Sequence, residues 1–329
     1  MGRPIYLFNS GELKREENTI IFITEEAKRP LPINAVSEIH VFGELDLNKR
    51  VLEFLTKNKI PIFFYNRYGY YVGSYYPREY LNSGIIILKQ SEFYLDKDKR
   101  LFLAKMFVNG AFSNILKNLE YYKKSKPEIN DYIVSIKEKF KTIEEINDIP
   151  SLMALEGDIR KVYYDAFNII INQEGFSFEN RSKRPPENPI NALISFGNSL
   201  IYTTALSQIY RTHLDPRIGY LHETNQRSFS LNLDISEIFK PIIVDRVIFS
   251  LVNKSQIQLK HFDEDLEYTY LNEKGREIFI KEYEDKLSTT IKYKNLGNVS
   301  YRKLIRLECY KLYKHLLEEE TYFPFISSW

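Results

Sequence analysis

The early part of the chain places its apolar residues in short β-prone runs closed by turn residues, while the later part repeats them three and four positions apart. Tyr6-Leu7-Phe8 and Thr19-Ile20-Ile21-Phe22-Ile23 are of the first kind, with Asn9-Ser10-Gly11 supplying turn chemistry after the first run. Ile39 to Phe42 is another short run, closed by Gly43. Leu47, Val51, Leu52 and Leu55 have helical spacing and predict one helix among these strands. Ile60 to Tyr65 and Tyr70 to Tyr76 flank Asn66-Arg67-Tyr68-Gly69 and predict a hairpin. Residues 1–78 therefore read as a β-rich, sandwich-like domain. Pro77 and Asn82-Ser83-Gly84 mark its end, and residues 79–92 read as a linker.

From residue 93 to 329 the pattern is helical. Leu101, Ala104, Phe107, Val108, Ala111, Ile115 and Leu119 keep one apolar face. Asn130 is placed to cap a short helix through Phe140, and Thr142 with Glu145 has capping-box spacing. Pro150-Ser151 opens a long helix to about Ile171, and Asn188-Pro189 is a cap and first turn for a helix to about Tyr210. The expected fold class is α+β, a β-rich domain followed by a larger all-helical one.

Length agrees with two domains, because 329 residues exceed the roughly 250–300 at which single cores stop growing. No apolar run approaches the roughly 20 residues of a membrane span, and Met1-Gly2-Arg3-Pro4 does not start a signal peptide, so a cytoplasmic protein is expected. A single cysteine, Cys309, excludes a disulfide framework and a cysteine-rich zinc site. The net charge of +2 neither demands nor excludes a nucleic-acid partner, since a local basic face survives an overall balance. The 25 Tyr and 22 Phe serve first as core, with base stacking a second use for some.

Three segments carry the candidate chemistry. On the helix from Ser151, the apolar positions Leu152, Leu155, Ile159, Val162, Ala166 and Ile170 form the buried stripe. Glu156, Arg160 and Tyr163 share its flank, and helix geometry alone favours a surface Glu156–Arg160 pair of about a few tenths of a kcal/mol. The second segment, His213 to Glu223, is interrupted by Pro216 and Gly219 and reads as a structured loop ending at His222. The third sets Asp234, Glu237 and Lys240 on one face of a short helix. Together, two carboxylates and an imidazole with a lysine nearby suit a divalent cation such as Mg²⁺ or Mn²⁺, with positions left for phosphate oxygens.

The run Met153 to Tyr164, the block Arg181 to Gly197, and the stretches Leu214 to Glu223, Ser228 to Pro241 and Val244-Asp245-Arg246 resemble, in order, the motifs of the CRISPR-associated integrase family, the "Cas-one" proteins. The resemblance implies that Glu156, His222 and Glu237 are metal ligands, with Glu237 standing where many members carry Asp. It implies that Asp234 is an acidic residue beside the metal. It further implies homodimers formed through the β domain, a small "Cas-two" partner subunit, and DNA with single-stranded or branched ends as substrate. The implied activity is a metal-dependent DNA endonuclease and integrase that joins 3′-hydroxyl ends to the CRISPR repeat by transesterification. Arg160, Tyr163, Arg181, Arg184 and Lys240 are the candidate DNA contacts. Lys183 stands among them, and Arg302, Lys303, Arg306 and Lys314 offer a second basic face. The rival readings are a generic metal-dependent phosphodiesterase and a non-catalytic DNA-binding scaffold.

Overall fold

The computed structural model describes residues 2–78, 81, 83–183, 185–224, 229–265 and 268–328, and the chain divides into two compact units, Met1–Asn82 and Ser83–Trp329. In the first unit the strands are β1 (Arg3–Leu7), β2 (Gly11–Glu16), β3 (Thr19–Ile23), β4 (Lys28–Pro32), β5 (Val36–Val41), β6 (Leu45–Leu47), β7 (Ile62–Tyr65) and β8 (Tyr71–Tyr75). One helix, α1 (Lys49–Lys57), interrupts them and is capped by Asn48, whose side chain accepts the Val51 N–H at 3.2 Å. Two four-stranded sheets result, ordered β1-β5-β7-β8 and β4-β3-β2-β6. The first is parallel except for the β7–β8 hairpin, and the second is antiparallel except where β2 meets β6. Leu13, Ile20, Ile39, Val51, Leu55 and Ile62 form a shared core of this unit.

Strands β2 and β4 escape the sequence pattern for a physical reason. In Gly11–Glu16 only Leu13 is buried, and in Lys28–Pro32 only Leu31, so neither shows an apolar run. Strand β4 also lies at a sheet edge, where Pro30 and Pro32 can forgo ladder hydrogen bonds.

The second unit is mainly helical: α2 (Gly84–Leu95), α3 (Lys97–Lys123), α4 (Ile129–Phe140), α5 (Ile149–Asp165), α6 (Phe167–Ile170), α7 (Pro189–Tyr210), α8 (Leu231–Phe239), α9 (Arg246–Asn253), α10 (Glu273–Ser288) and α11 (Tyr301–Leu316). It is not all-helical, because two antiparallel ribbons occur, β9 (Phe262–Asp265) with β10 (Tyr268–Leu271) and β11 (Thr290–Lys292) with β12 (Asn298–Ser300). The fold is α+β.

The expected linker over 79–92 is helix from Gly84 onward. Gln90 of α2 is fully buried, accepting the Asp215 N–H at 2.7 Å and donating to the carbonyls of Asp215 and Ile218. Those bonds bind α2 to the loop that carries His222. Helix α4 starts before Asn130, whose side chain instead accepts from Lys123. Helix α5 is capped by Asp148 and ends at Asp165, with α6 continuing the buried face. Helix α7 is capped by Asn188 as its sequence predicts, through the Asn191 N–H at 2.9 Å.

The C-terminal residues dock on their own unit. Pro324 packs against Gly110 of α3, and Asn114 donates to the carbonyls of Ile238 and Phe325 while accepting from Ser327. Fully buried Tyr322 donates to Glu308 at 2.6 Å. Helix α8, and with it Glu237, is thus clasped from behind by α3 and the chain terminus.

Candidate metal centre

Three backbone elements bring the candidate residues together: α5 with Glu156 and Arg160, the loop before α8 with His222, and α8 with Asp234, Glu237 and Lys240. Asp234 is the best-defined part. It is fully buried, and its Oδ2 accepts the N–H groups of Tyr220 at 2.6 Å and Leu221 at 3.1 Å. Its Oδ1 accepts the His222 N–H at 3.0 Å and lies 2.8 Å from His222 Nδ1. Every neighbour is a donor, so Nδ1 carries the proton and Nε2 is left to act as a ligand. Burial works against protonating His222, but Asp234 outweighs it and raises the imidazole pKa.

Glycine is required where this loop closes. A Cβ on Gly219 would stand 2.7 Å from the Ser230 carbonyl carbon and 2.8 Å from Asp234 Oδ2. The close approach lets one carboxylate gather three successive N–H groups. Asp234 is therefore the support of His222, and its four bonds leave it no lone pair for a metal. The acidic residue expected beside the ion thus stands directly behind His222.

Glu237 sits one turn along α8 and is almost wholly buried. Its Oε1 accepts from Lys240 Nζ, and its Oε2 accepts from Arg160 Nη2 at 2.5 Å. Burial would raise its pKa, yet Lys240, Arg160 and His222 together hold it well below the usual carboxylate range. Lys240 reaches on to the Tyr202 hydroxyl at 2.7 Å. Arg160 also donates from Nε to Glu156 Oε1 at 2.6 Å, so one guanidinium bridges both candidate ligand carboxylates. The pair expected on the surface is instead turned inward, with only about 14% and 15% of the two side chains exposed.

Behind this bridge lies a second buried network. Tyr163 donates to Asp245 Oδ2 at 3.0 Å and accepts from Asn118 at 2.7 Å. Asp245 is carried inward by a π-helical turn, Pro241–Asp245, and burial pushes its pKa up to about 7 against the pull of Arg160, Tyr163 and Lys240. The expectation that Tyr163 positions a DNA end is corrected here, because its ring is fully buried and its hydroxyl is engaged on both sides. Sequence reading missed Asp245 and Tyr202 as members of the cluster. The signals for Asp245 were its place in the Val244-Asp245-Arg246 stretch and its position beside a run of apolar residues.

The other DNA candidates differ in kind. Arg160 and Lys240 are buried in ion pairs and present no open cationic surface as they stand. Arg181 is tied to Asn191, Ser195 and the Ser182 carbonyl. Arg184 lies outside the described residues. Lys183 is exposed, yet partial desolvation, with Arg181 and Lys240, lowers its pKa while Glu156 and Glu237 pull the other way. It lies within electrostatic reach of the same cluster. On α11, Arg302 pairs with Glu284, Arg306 with Gln208 and Lys314 with Glu320, while Lys303 is exposed.

Among the described residues, no three His, Cys, Asp or Glu side chains converge on one ion position as they stand. The guanidinium of Arg160 lies between Glu156 and Glu237. The donor set still fits a hard or borderline divalent cation: two carboxylates that already share a cation, and an imidazole whose proton is fixed on the far nitrogen.

Comparison with known proteins bears on the same residues. The sequence model of the family "CRISPR associated protein Cas1" matches residues 5–285, a span that includes all three segments of the cluster. The chain belongs to the Cas1 family. Over the full length of both chains it is 55% identical to the CRISPR-associated endonuclease Cas1 2 of Thermodesulfovibrio yellowstonii. It is 51% identical to the CRISPR-associated endonuclease Cas1 of Thermotoga maritima, covering 97% of this chain and 98% of that one. A solved Cas1 protein from Thermotoga maritima superposes with a TM-score of 0.90 at 50% identity, covering 98% of this Cas1 chain and all of that one. A casposase bound to its integration product shares the fold, with a TM-score of 0.87 at 20% identity over 99% of this chain and 94% of that one. No helix among the described residues of this Cas1 protein is long and apolar enough to cross a membrane.

Proposed function

We propose that this Cas1 protein is a metal-dependent DNA endonuclease and integrase of CRISPR adaptation, with Glu156, His222 and Glu237 holding the ion. The observation that carries the reading is the Asp234–His222 pair. It locks an imidazole with Nε2 available beside a carboxylate, Glu237, that its neighbours keep ionised. Relatives named as CRISPR-associated endonucleases over the full chain length support the nuclease part. When bound, Mg²⁺ or Mn²⁺ supplies positive charge to the oxygens of the phosphodiester under attack.

The chain's own residues perform the rest. Asp234 fixes the tautomer and aim of His222, and Lys240, braced by Tyr202, keeps Glu237 charged. Lys183, within electrostatic reach of the carboxylates, adds positive charge that helps draw a phosphate in. In transfer, a 3′-hydroxyl oxygen bonds to the repeat phosphorus as the existing P–O ester bond breaks. The proton of the attacking hydroxyl passes to solvent and the leaving alkoxide is protonated in turn. Water in place of the hydroxyl gives hydrolysis by the same route. A homodimer, a small Cas2 partner, and DNA with single-stranded or branched ends complete the reading.

The test is joining of a short duplex with free 3′-hydroxyl ends to a repeat-bearing plasmid, with the Cas2 partner present. Joining in Mn²⁺ that is absent in EDTA and in His222→Ala is the expected result. Equal nicking by wild type and His222→Ala would remove this cluster from the chemistry.

A further inference from the structure

Charge among the four groups bridged by Arg160 and Lys240 is balanced without any metal. Two carboxylates, Glu156 and Glu237, face two cations, Arg160 and Lys240, and all four side chains are largely buried. A divalent ion entering between the carboxylates with Arg160 still in place would put two further positive charges into a weakly solvated site. Arginine does not lose its proton under such pressure, so relief comes only from movement of the side chain. The local structure gives it somewhere to go. A helical side chain leans over the residues three and four positions before it, which for Arg160 are Gly157 and Glu156. Gly157 is exposed, and a Cβ placed there would meet nothing within 4 Å.

Building on the metal-site reading above, we propose that Arg160 is an exchangeable internal counter-cation. It joins Glu156 to Glu237 while the site holds no metal, and it swings out over Gly157 when a divalent ion takes its place. Outside, the guanidinium faces the approach of the DNA backbone and takes a phosphate bidentately. Metal and DNA then strengthen one another's binding through one side chain, because each favours the outward arrangement. Arg160 is thus a gating residue for the ion, and its place as a DNA contact belongs to the loaded state.

The experiment measures Mn²⁺ binding to the full chain without DNA, from the electron paramagnetic resonance signal of free Mn²⁺. Wild type, Arg160→Gln, Arg160→Lys and His222→Ala are compared, then repeated with a short branched DNA. Arg160→Gln should bind Mn²⁺ roughly tenfold more tightly than wild type, with Arg160→Lys between them. Added DNA should tighten Mn²⁺ binding in wild type and do so much less in Arg160→Gln. Arg160→Gln should also melt below wild type in EDTA and alongside it in Mn²⁺, while His222→Ala identifies the binding as that of this site. Unchanged or weaker Mn²⁺ binding by both Arg160 variants, with His222→Ala still abolishing it, would overturn the exchange and leave the metal reading standing. Absence of Mn²⁺ binding in every protein, with and without DNA, would sink both. Should Arg160→Gln fail to fold, the Arg160→Lys comparison decides alone.

Discussion

Asp234→Asn isolates the support of His222 with almost no change of shape. The carboxylate accepts four N–H donors, from Tyr220, Leu221 and both His222 nitrogens within reach, and it is fully buried. An amide offers one oxygen and one donor group. With the new NH₂ in place of Oδ2, two backbone N–H groups lose their acceptor. In place of Oδ1 it strands only the His222 N–H, provided His222 Nδ1 becomes an acceptor and its proton moves to Nε2. The second arrangement is the cheaper one. One stranded buried donor costs about 1–3 kcal/mol, and turning two charge-assisted bonds neutral adds roughly 0.5–1 kcal/mol each. The sum, about 2–5 kcal/mol, corresponds to a fall of roughly 5–15 °C in Tm for a unit of this size. Circular dichroism reads the melting, and ¹⁵N NMR of the imidazole reads which ring nitrogen holds the proton. Because that proton would occupy the ligand nitrogen, Mn²⁺ affinity should fall by about 10–100-fold. A variant that melts with wild type and keeps Nε2 unprotonated would refute the account of Asp234.

Asp245 holds a proton in the fold that it lacks when unfolded between its ordinary value of 3.8 and about 7, so its contribution to stability is complete below that window and is lost as pH rises through it. Asp245→Asn should therefore gain on wild type by up to about 4 kcal/mol between pH 4 and pH 8 in urea titrations, and a difference that does not vary with pH would contradict this. Gly110→Ala would set a methyl 2.6 Å from Pro324 Cβ and 3.1 Å from Ile238. It should cost about 1–3 kcal/mol by overpacking and expose the C-terminal residues to limited proteolysis, and resistance equal to wild type would speak against the clasp on α8.

Local features were legible in the residues because their causes are local. Asn188-Pro189 caps and starts α7 through a hydrogen bond spanning three residues, and the apolar stripe of α3 follows from spacing along one helix. The family motifs likewise lie within short runs, and the three ligand candidates come from three such runs.

What the residues did not disclose is the direction in which each polar group turns. Glu156 and Arg160 look like a surface pair at four-residue spacing, and only the arrival of Glu237, 77 residues beyond Arg160, makes their guanidinium a buried bridge. Asp234 and Glu237 share a helix face three residues apart, yet one gathers the N–H groups of a loop and the other meets two cations. Tyr163 carries the same motif as Glu156, and packing of α3 and the π-helical turn around it removes it from any strand end. By itself the sequence determined the main helices, the cap of α7 and the residue types available for a cation site, since these depend on neighbours along the chain. The tertiary structure alone decided which carboxylate supports an imidazole, which one pairs with arginine, and which tyrosine is buried. A polar side chain's role is set by the donors and charges around it, and here those come from distant segments.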